Sequence, residues 1–252
     1  MTGDDWLIEE LKTILSGLKA EGLVVKSHQV HPVFELTNLL VNSNERTFIT
    51  RSNTAIELGH PACTSLSICM ITERDDLVTD CRITVFGQEL QELAPGRYHF
   101  ALIVLTKVKE ANETSRQVLL RKVLSCDHFK GTNIRTSSGK VWIRFSEEAL
   151  AQPLTLVNLG WFLLSELKKE STIKKVEIGL AVAGAEYINK LKPIADSLAE
   201  KRNLQYRATL VEKMECETGF DCETCPETET CKILKDAVAI ARKSQKSRRV
   251  KP

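Results

Sequence analysis

The chain has 252 residues, of which 42% are hydrophobic and 27% are charged, and this is enough to bury one large core or two small ones. Its formal net charge of +2 is too small to predict nucleic-acid binding. No apolar run approaches the roughly 20 residues that cross a bilayer, and the acidic opening Met-Thr-Gly-Asp-Asp does not resemble a signal peptide. We therefore expect a cytoplasmic protein that contacts neither nucleic acid nor membrane.

The first half is predicted to be one helix followed by a β-rich region. Apolar residues recur at helical spacing from Leu7 to Leu18, and Gly22 can end that helix. Alternating or apolar runs then predict strands near Leu23–Val30, Phe34–Val41, Leu66–Met70, Arg82–Phe86 and His99–Val108. A helix near Ser115–Leu124 follows, and the polar segment Gly131–Gly139 is predicted to be a loop.

The second half alternates between strands and helices. Strands are predicted at Val141–Phe145, Val176–Val182 and Leu204–Leu210, with helices at Leu156–Leu167 and Tyr187–Leu198 between them and Ser146 as a helix N-cap. The predicted class is α+β, with a β-rich N-terminal half, a layered βαβαβ half and a C-terminal helix next to a four-cysteine site. Residues 1–130 and 140–252 are the expected regions, as two domains or one compact domain.

Half of the eight cysteines lie within one short segment, as Cys216, Cys222, Cys225 and Cys231. The two that are separated by two residues place their sulfurs on one turn, and the outer two can complete a tetrahedron. In a reducing compartment such clustering indicates a metal rather than disulfides. Four thiolates suit either one zinc ion or one 4Fe–4S cluster, and the spacing leaves both open.

The other four cysteines are isolated in segments with apolar neighbours. They are Cys63, Cys69, Cys81 and Cys126. Free cysteine in such surroundings usually behaves as a small buried hydrophobe. We expect that role here.

Three short segments resemble a known family. They are Glu57–Pro61 (ELGHP), Asp80–Gly87 (DCRITVFG) and Val141–Ser146 (VWIRFS). In this order and spacing they are similar to the middle domains of acetyl-CoA synthase, the β subunit of the carbon monoxide dehydrogenase/acetyl-CoA synthase complex. The resemblance extends over about residues 50–215. His60 and Cys81 stand where the family usually has glycine.

The resemblance implies a coenzyme A contact at Trp142 and Arg144, which match a tryptophan and an arginine associated with that ligand in the family. An indole can stack on adenine, and guanidinium groups bind phosphates in a bidentate manner. The alternative is that Trp142 points into the core. Other arginines, namely Arg82, Arg97 and Arg135, could join such a site if the fold brings them together.

The resemblance also favours a 4Fe–4S cluster over zinc at the four cysteines. It implies an iron–sulfur protein with a redox or accessory role in one-carbon, acetyl-CoA or corrinoid metabolism, with subunits of a carbon monoxide dehydrogenase or corrinoid complex as partners. Two alternatives are an acetyl-CoA synthase-type acyltransferase subunit and a structural adaptor stapled by zinc. The chain lacks the Cys-Gly-Cys of the family's nickel centre, so we do not expect it to make acetyl-CoA alone.

Overall fold

The structure is a computed structural model that describes residues 3–30, 49, 53–124, 132–137, 139–213 and 229. Its chain divides into two compact units, Met1–Ala195 and Asp196–Pro252. The first unit contains two mixed β-sheets and has the predicted α+β class. The second is described over residues 196–213 and at residue 229.

The described residues form nine strands and six α-helices. The strands are β1 (Val25–Gln29), β2 (Thr54–Leu58), β3 (Ser65–Thr72), β4 (Arg82–Gly87), β5 (Gly96–Tyr98), β6 (Phe100–Val108), β7 (Thr132–Ser137), β8 (Lys140–Ser146) and β9 (Ile173–Val182). The helices are α1 (Asp5–Ala20), α2 (Glu113–Leu124), α3 (Glu147–Leu150), α4 (Leu156–Lys168), α5 (Ala185–Asn189) and α6 (Lys192–Lys213).

Most predicted elements are confirmed, and two are wrong. The helix predicted at Tyr187–Leu198 is divided into α5 and α6 by a turn at residues 190–191. The segment Gly131–Gly139 was expected to be a loop but contains β7, because its alternating β-branched residues pair with β8. The expected strand Leu204–Leu210 lies within α6. In an alternating run, apolar residues also recur four positions apart, and that spacing suits a helix equally well. The expected strand Phe34–Val41 lies outside the described residues.

The five-stranded sheet has the order β1-β4-β9-β6-β3. Strand β9 comes from the predicted second half and lies between β4 and β6, parallel to the first and antiparallel to the second. Helix α4 packs on this sheet through its predicted leucine face. At Gly160 an added Cβ would lie 2.7 Å from Cγ2 of Ile83, so glycine permits the close approach of helix and sheet.

The four-stranded sheet has the order β5-β2-β8-β7, and β8 is antiparallel to both of its neighbours. Side chains alternate along β8, with Val141, Ile143 and Phe145 buried in the core. Trp142 and Arg144 therefore point to the opposite face, where both are partly exposed. The alternative that Trp142 points into the core is wrong.

A buried serine joins the two sheets. The hydroxyl of Ser65, at the start of β3, accepts a hydrogen bond from the Val141 amide at 2.9 Å and donates one to the Val141 carbonyl. Two residues further, the amide of Ser67 donates to the carbonyl of Gly139 at 2.7 Å. These bonds connect the start of β8 to β3, which is an edge strand of the five-stranded sheet.

Helix α1 is held at both ends. Gly22, with a φ of +94°, follows the last turn. The amide of Gly22 donates to the carbonyl of Lys19 at 3.1 Å, which confirms the predicted cap. Before the helix, the buried carboxylate of Asp4 accepts two bonds from the guanidinium of Arg116, at 2.8 and 2.9 Å. The same carboxylate accepts from the Ile71 amide at 3.0 Å, so α1, α2 and β3 meet at one ion pair.

Gly59 supports a testable prediction about the joint between the sheets. Its φ is +68°, and an added Cβ would lie 2.2 Å from the carbonyl oxygen of Val141 and 2.8 Å from Oγ of Ser65. We expect Gly59→Ala to lower the free energy of unfolding by about 3 kcal/mol or more, because backbone strain and a steric clash add. Urea denaturation followed by circular dichroism measures this loss.

The matched control is Gly139→Ala. Gly139 has a φ of +79°, and no atom of the described residues lies within 4 Å of an added Cβ. We therefore expect only the conformational cost of about 1–2 kcal/mol. Equal losses in the two variants would contradict a close-packed joint at Gly59.

Candidate functional site

The candidate site is the face of the four-stranded sheet that points away from the core, and we call it the outer face. Residues opposite each other in a sheet ladder share a face. The register places Glu57 opposite both Arg97 and Arg144, and Arg135 opposite Trp142. We define the outer face by these five residues, which come from four strands.

Trp142 is bracketed by two side chains. The guanidinium carbon of Arg144 lies 3.9 Å from the ring centroid, in a cation–π contact. The His60 ring meets the indole at 5.9 Å with an interplanar angle of 84°, which is an edge-to-face contact. The indole Nε1 is shielded and has no acceptor among the described residues. A buried hydrogen-bond donor in that state costs free energy.

Glu57 connects the charged groups of the outer face. Its Oε1 accepts from Nε of Arg144 at 2.9 Å, and its Oε2 accepts from Nε of Arg97 at 3.1 Å. Nε2 of His60 lies 3.6 Å from Oε2, while Nδ1 of His60 accepts from the Ala62 amide at 3.0 Å. The Glu57 side chain is only 11% exposed, so it depends on these partners for the solvation that water cannot supply.

Two of the three additional arginines join Trp142 and Arg144. Arg97 has 59% of its side chain exposed, and Arg135 is exposed with no hydrogen-bond or ion-pair partner among the described residues. Arg82 does not join them. It lies in β4 of the other sheet, with Nη2 2.6 Å from Oε1 of Glu177.

Sequence reasoning did not assign to a site either Glu57 of the outer face or His60, which contacts Trp142 beside it. Both stand in the ELGHP segment, which pointed to a family but not to a contact. Because side chains alternate along β2, Glu57 points to the face of the sheet away from that of the buried Ile56 and Leu58. The position of Glu57 beside Arg97 and Arg144 can be inferred only when β2 is known to pair with β8 and β5.

The metal prediction falls on residues that the structure does not describe. Cys216, Cys222, Cys225 and Cys231 all lie outside the described ranges, so a thiolate metal site there stays a prediction. Within the described ranges, no group of three or more His, Cys, Asp or Glu side chains could hold a metal ion.

The prediction that the isolated cysteines are buried is confirmed for two of the four and wrong for Cys63. Cys69 and Cys81 are buried, whereas Cys63 is partly exposed and Cys126 lies outside the described residues. Cys81 has a φ of +55°, a left-handed backbone that glycine adopts more readily than cysteine. Burial raises the pKa of the Cys81 thiol, and the nearby Asp80 carboxylate adds to the effect. The neutral thiol is therefore favoured there.

These exposures predict an order of alkylation. In the native protein iodoacetamide should modify Cys63 well before Cys69 or Cys81, because only Cys63 is accessible. Peptide mass spectrometry over a time course gives the order, and the same reaction in guanidinium chloride is the control in which all three should react. Early modification of Cys81 in the native state would contradict its buried placement.

No helix within the described ranges is both long enough and apolar enough to cross a bilayer.

A search of curated proteins gave no match. The family of the CO dehydrogenase/acetyl-CoA synthase complex beta subunit matches residues 41–187. That match includes every strand from β2 to β9 and the whole outer face, and it ends before the four clustered cysteines. The chain belongs to this family, as a homologue of the acetyl-CoA synthase middle domain related to one-carbon metabolism.

Proposed function

We propose that this chain is a coenzyme A-binding accessory protein of one-carbon or corrinoid metabolism. Its binding site is the outer face of the four-stranded sheet. The observation that carries the proposal is the stack of Arg144 on Trp142, with Arg135 on the neighbouring strand β7 and Arg97 on β5, beyond β2.

The chemistry of coenzyme A fits this arrangement. The ligand has an adenine ring, a diphosphate and a ribose phosphate. Planar guanidinium and indole groups offer surfaces on which adenine can stack. The exposed guanidinium groups of Arg97 and Arg135 offer forked donors to phosphate oxygens.

The four clustered cysteines support a second part of the proposal. We infer a 4Fe–4S cluster held by Cys216, Cys222, Cys225 and Cys231, with zinc as the alternative. Their spacing supports a four-thiolate site but suits both metals. The family relation favours iron–sulfur over zinc, although the family match ends upstream of the four cysteines. A cluster with four thiolate ligands would supply one-electron chemistry or structural support. Because such a site is fully ligated, it leaves no open position for a substrate.

The partners follow from the same family relation. The matching family is named for a subunit of the CO dehydrogenase/acetyl-CoA synthase complex. We propose that this chain acts with subunits of that complex or with a corrinoid protein. An acetyl-CoA synthase-type acyltransferase role would require a partner to complete the metal centre.

Calorimetric titration with coenzyme A tests the ligand. Wild-type protein should bind, and Arg135→Gln should weaken binding by roughly tenfold, because a charge-assisted contact to phosphate is lost. Trp142→Phe should abolish the quenching of tryptophan fluorescence by the ligand.

The matched control is Arg121→Gln, which removes the same charge from an exposed position on α2. It should bind as the wild type does. If both arginine variants lose affinity equally, the effect is general charge rather than a site, and absence of heat with wild type would refute coenzyme A binding.

Metal analysis after anaerobic purification tests the cysteine site. Cys222→Ser and Cys225→Ser should each lose the bound iron and sulfide, because removal of one of four thiolates weakens ligation. Cys63→Ser is the control and should keep its metal, since Cys63 lies far from the clustered segment in the sequence. Zinc without sulfide would favour the structural adaptor, and unchanged metal in both cluster variants would exclude these ligands.

A further inference from the structure

The outer face holds two guanidinium groups bonded to one poorly exposed carboxylate. Glu57 bonds Arg144 through one oxygen and Arg97 through the other. These two arginines come from strands on opposite sides of β2. A single side chain therefore sets the separation of two cations that the proposed ligand has to meet.

The bonds to Glu57 use the Nε atoms of both arginines. A guanidinium has five N–H donors in a rigid fork. Bonding through Nε leaves the pair of Nη groups of each arginine unused by Glu57. The planes of both groups are thus restrained while most of their donors stay available for an anion.

We propose that Glu57 is a positioning residue that fixes Arg97 and Arg144 for a ligand with at least two anionic groups, such as the diphosphate of coenzyme A. This inference rests on the proposed function and deepens it. Glu57 contacts the cations and not the ligand. The cost of ordering two long side chains is met in the folded protein, before the ligand arrives.

His60 is a third residue close to the Glu57 carboxylate. Its Nδ1 is occupied by the Ala62 amide, so Nε2 carries the proton and points toward Glu57. The same ring contacts the edge of Trp142. Glu57, His60 and Arg144 together restrain the indole on which adenine would stack.

Positioning and simple electrostatics predict opposite results for Glu57→Gln. The substitution removes a negative charge from the outer face, so charge alone should tighten the binding of an anion. Loss of one acceptor should instead release one arginine and weaken binding. We expect the affinity for coenzyme A to fall about tenfold, since ordering of the released side chain then opposes binding.

The matched control is Glu177→Gln, which makes the same charge change at a carboxylate that pairs with Arg82 on the other sheet. It should leave coenzyme A affinity within twofold of wild type. A second variant, Arg144→Lys, keeps the charge but loses the planar fork. It should weaken binding as Glu57→Gln does, and it covers the case in which Glu57→Gln folds poorly.

A ligand-free measurement separates the two proposals. In protein with only Trp142 retained among the tryptophans, Glu57→Gln should change the fluorescence yield or lifetime, because Arg144 is no longer held over the ring. If wild type fails to bind coenzyme A but this change appears, the ligand proposal fails and the positioning role stands. Tighter binding by Glu57→Gln, or an unchanged Trp142 signal in a folded variant, would overturn the positioning role.

Discussion

Strand β8 turns Val141, Ile143 and Phe145 into the core, and the same alternation turns Trp142 and Arg144 to the outer face. The strand is held on both flanks by β2 and β7 and at its start by Ser65. Packing of the inward residues therefore fixes the direction of the outward ones. A slip of one residue would exchange the two sets, which would bury a guanidinium and expose the core.

The local features could be predicted from the sequence because they depend on near neighbours. Helical spacing identified α1 and α4, and the serine before α3 caps it as expected, accepting from the Ala149 amide at 3.2 Å. Trp142 and Arg144 were identified from one hexapeptide and are adjacent in the fold. Such features need only periodicity, capping preferences and a short resemblance.

The rest could not be predicted because it depends on pairing between distant segments. The insertion of β9 between β4 and β6 has no local signal. The buried pair of Asp4 and Arg116 joins residues from the two ends of the β-rich half, and each alone resembles a surface charge. The link from Glu57 to Arg97 crosses strands of which one, β5, has only three residues. The strand predicted at 204–210 from alternating apolar residues is wrong, because apolar residues two positions apart also occur within helices.

The indole N–H of Trp142 reports most directly on whether coenzyme A binds to the outer face. Each of the three tryptophans gives one indole resonance in a two-dimensional nitrogen–proton NMR spectrum, and Trp142→Phe identifies the one from Trp142. On titration with coenzyme A we expect that resonance to shift and saturate, because the ligand stacks nearby. The resonances of Trp6 and Trp161 should stay in place. Saturating ligand that leaves the Trp142 resonance unmoved, or that shifts another tryptophan instead, would contradict the account.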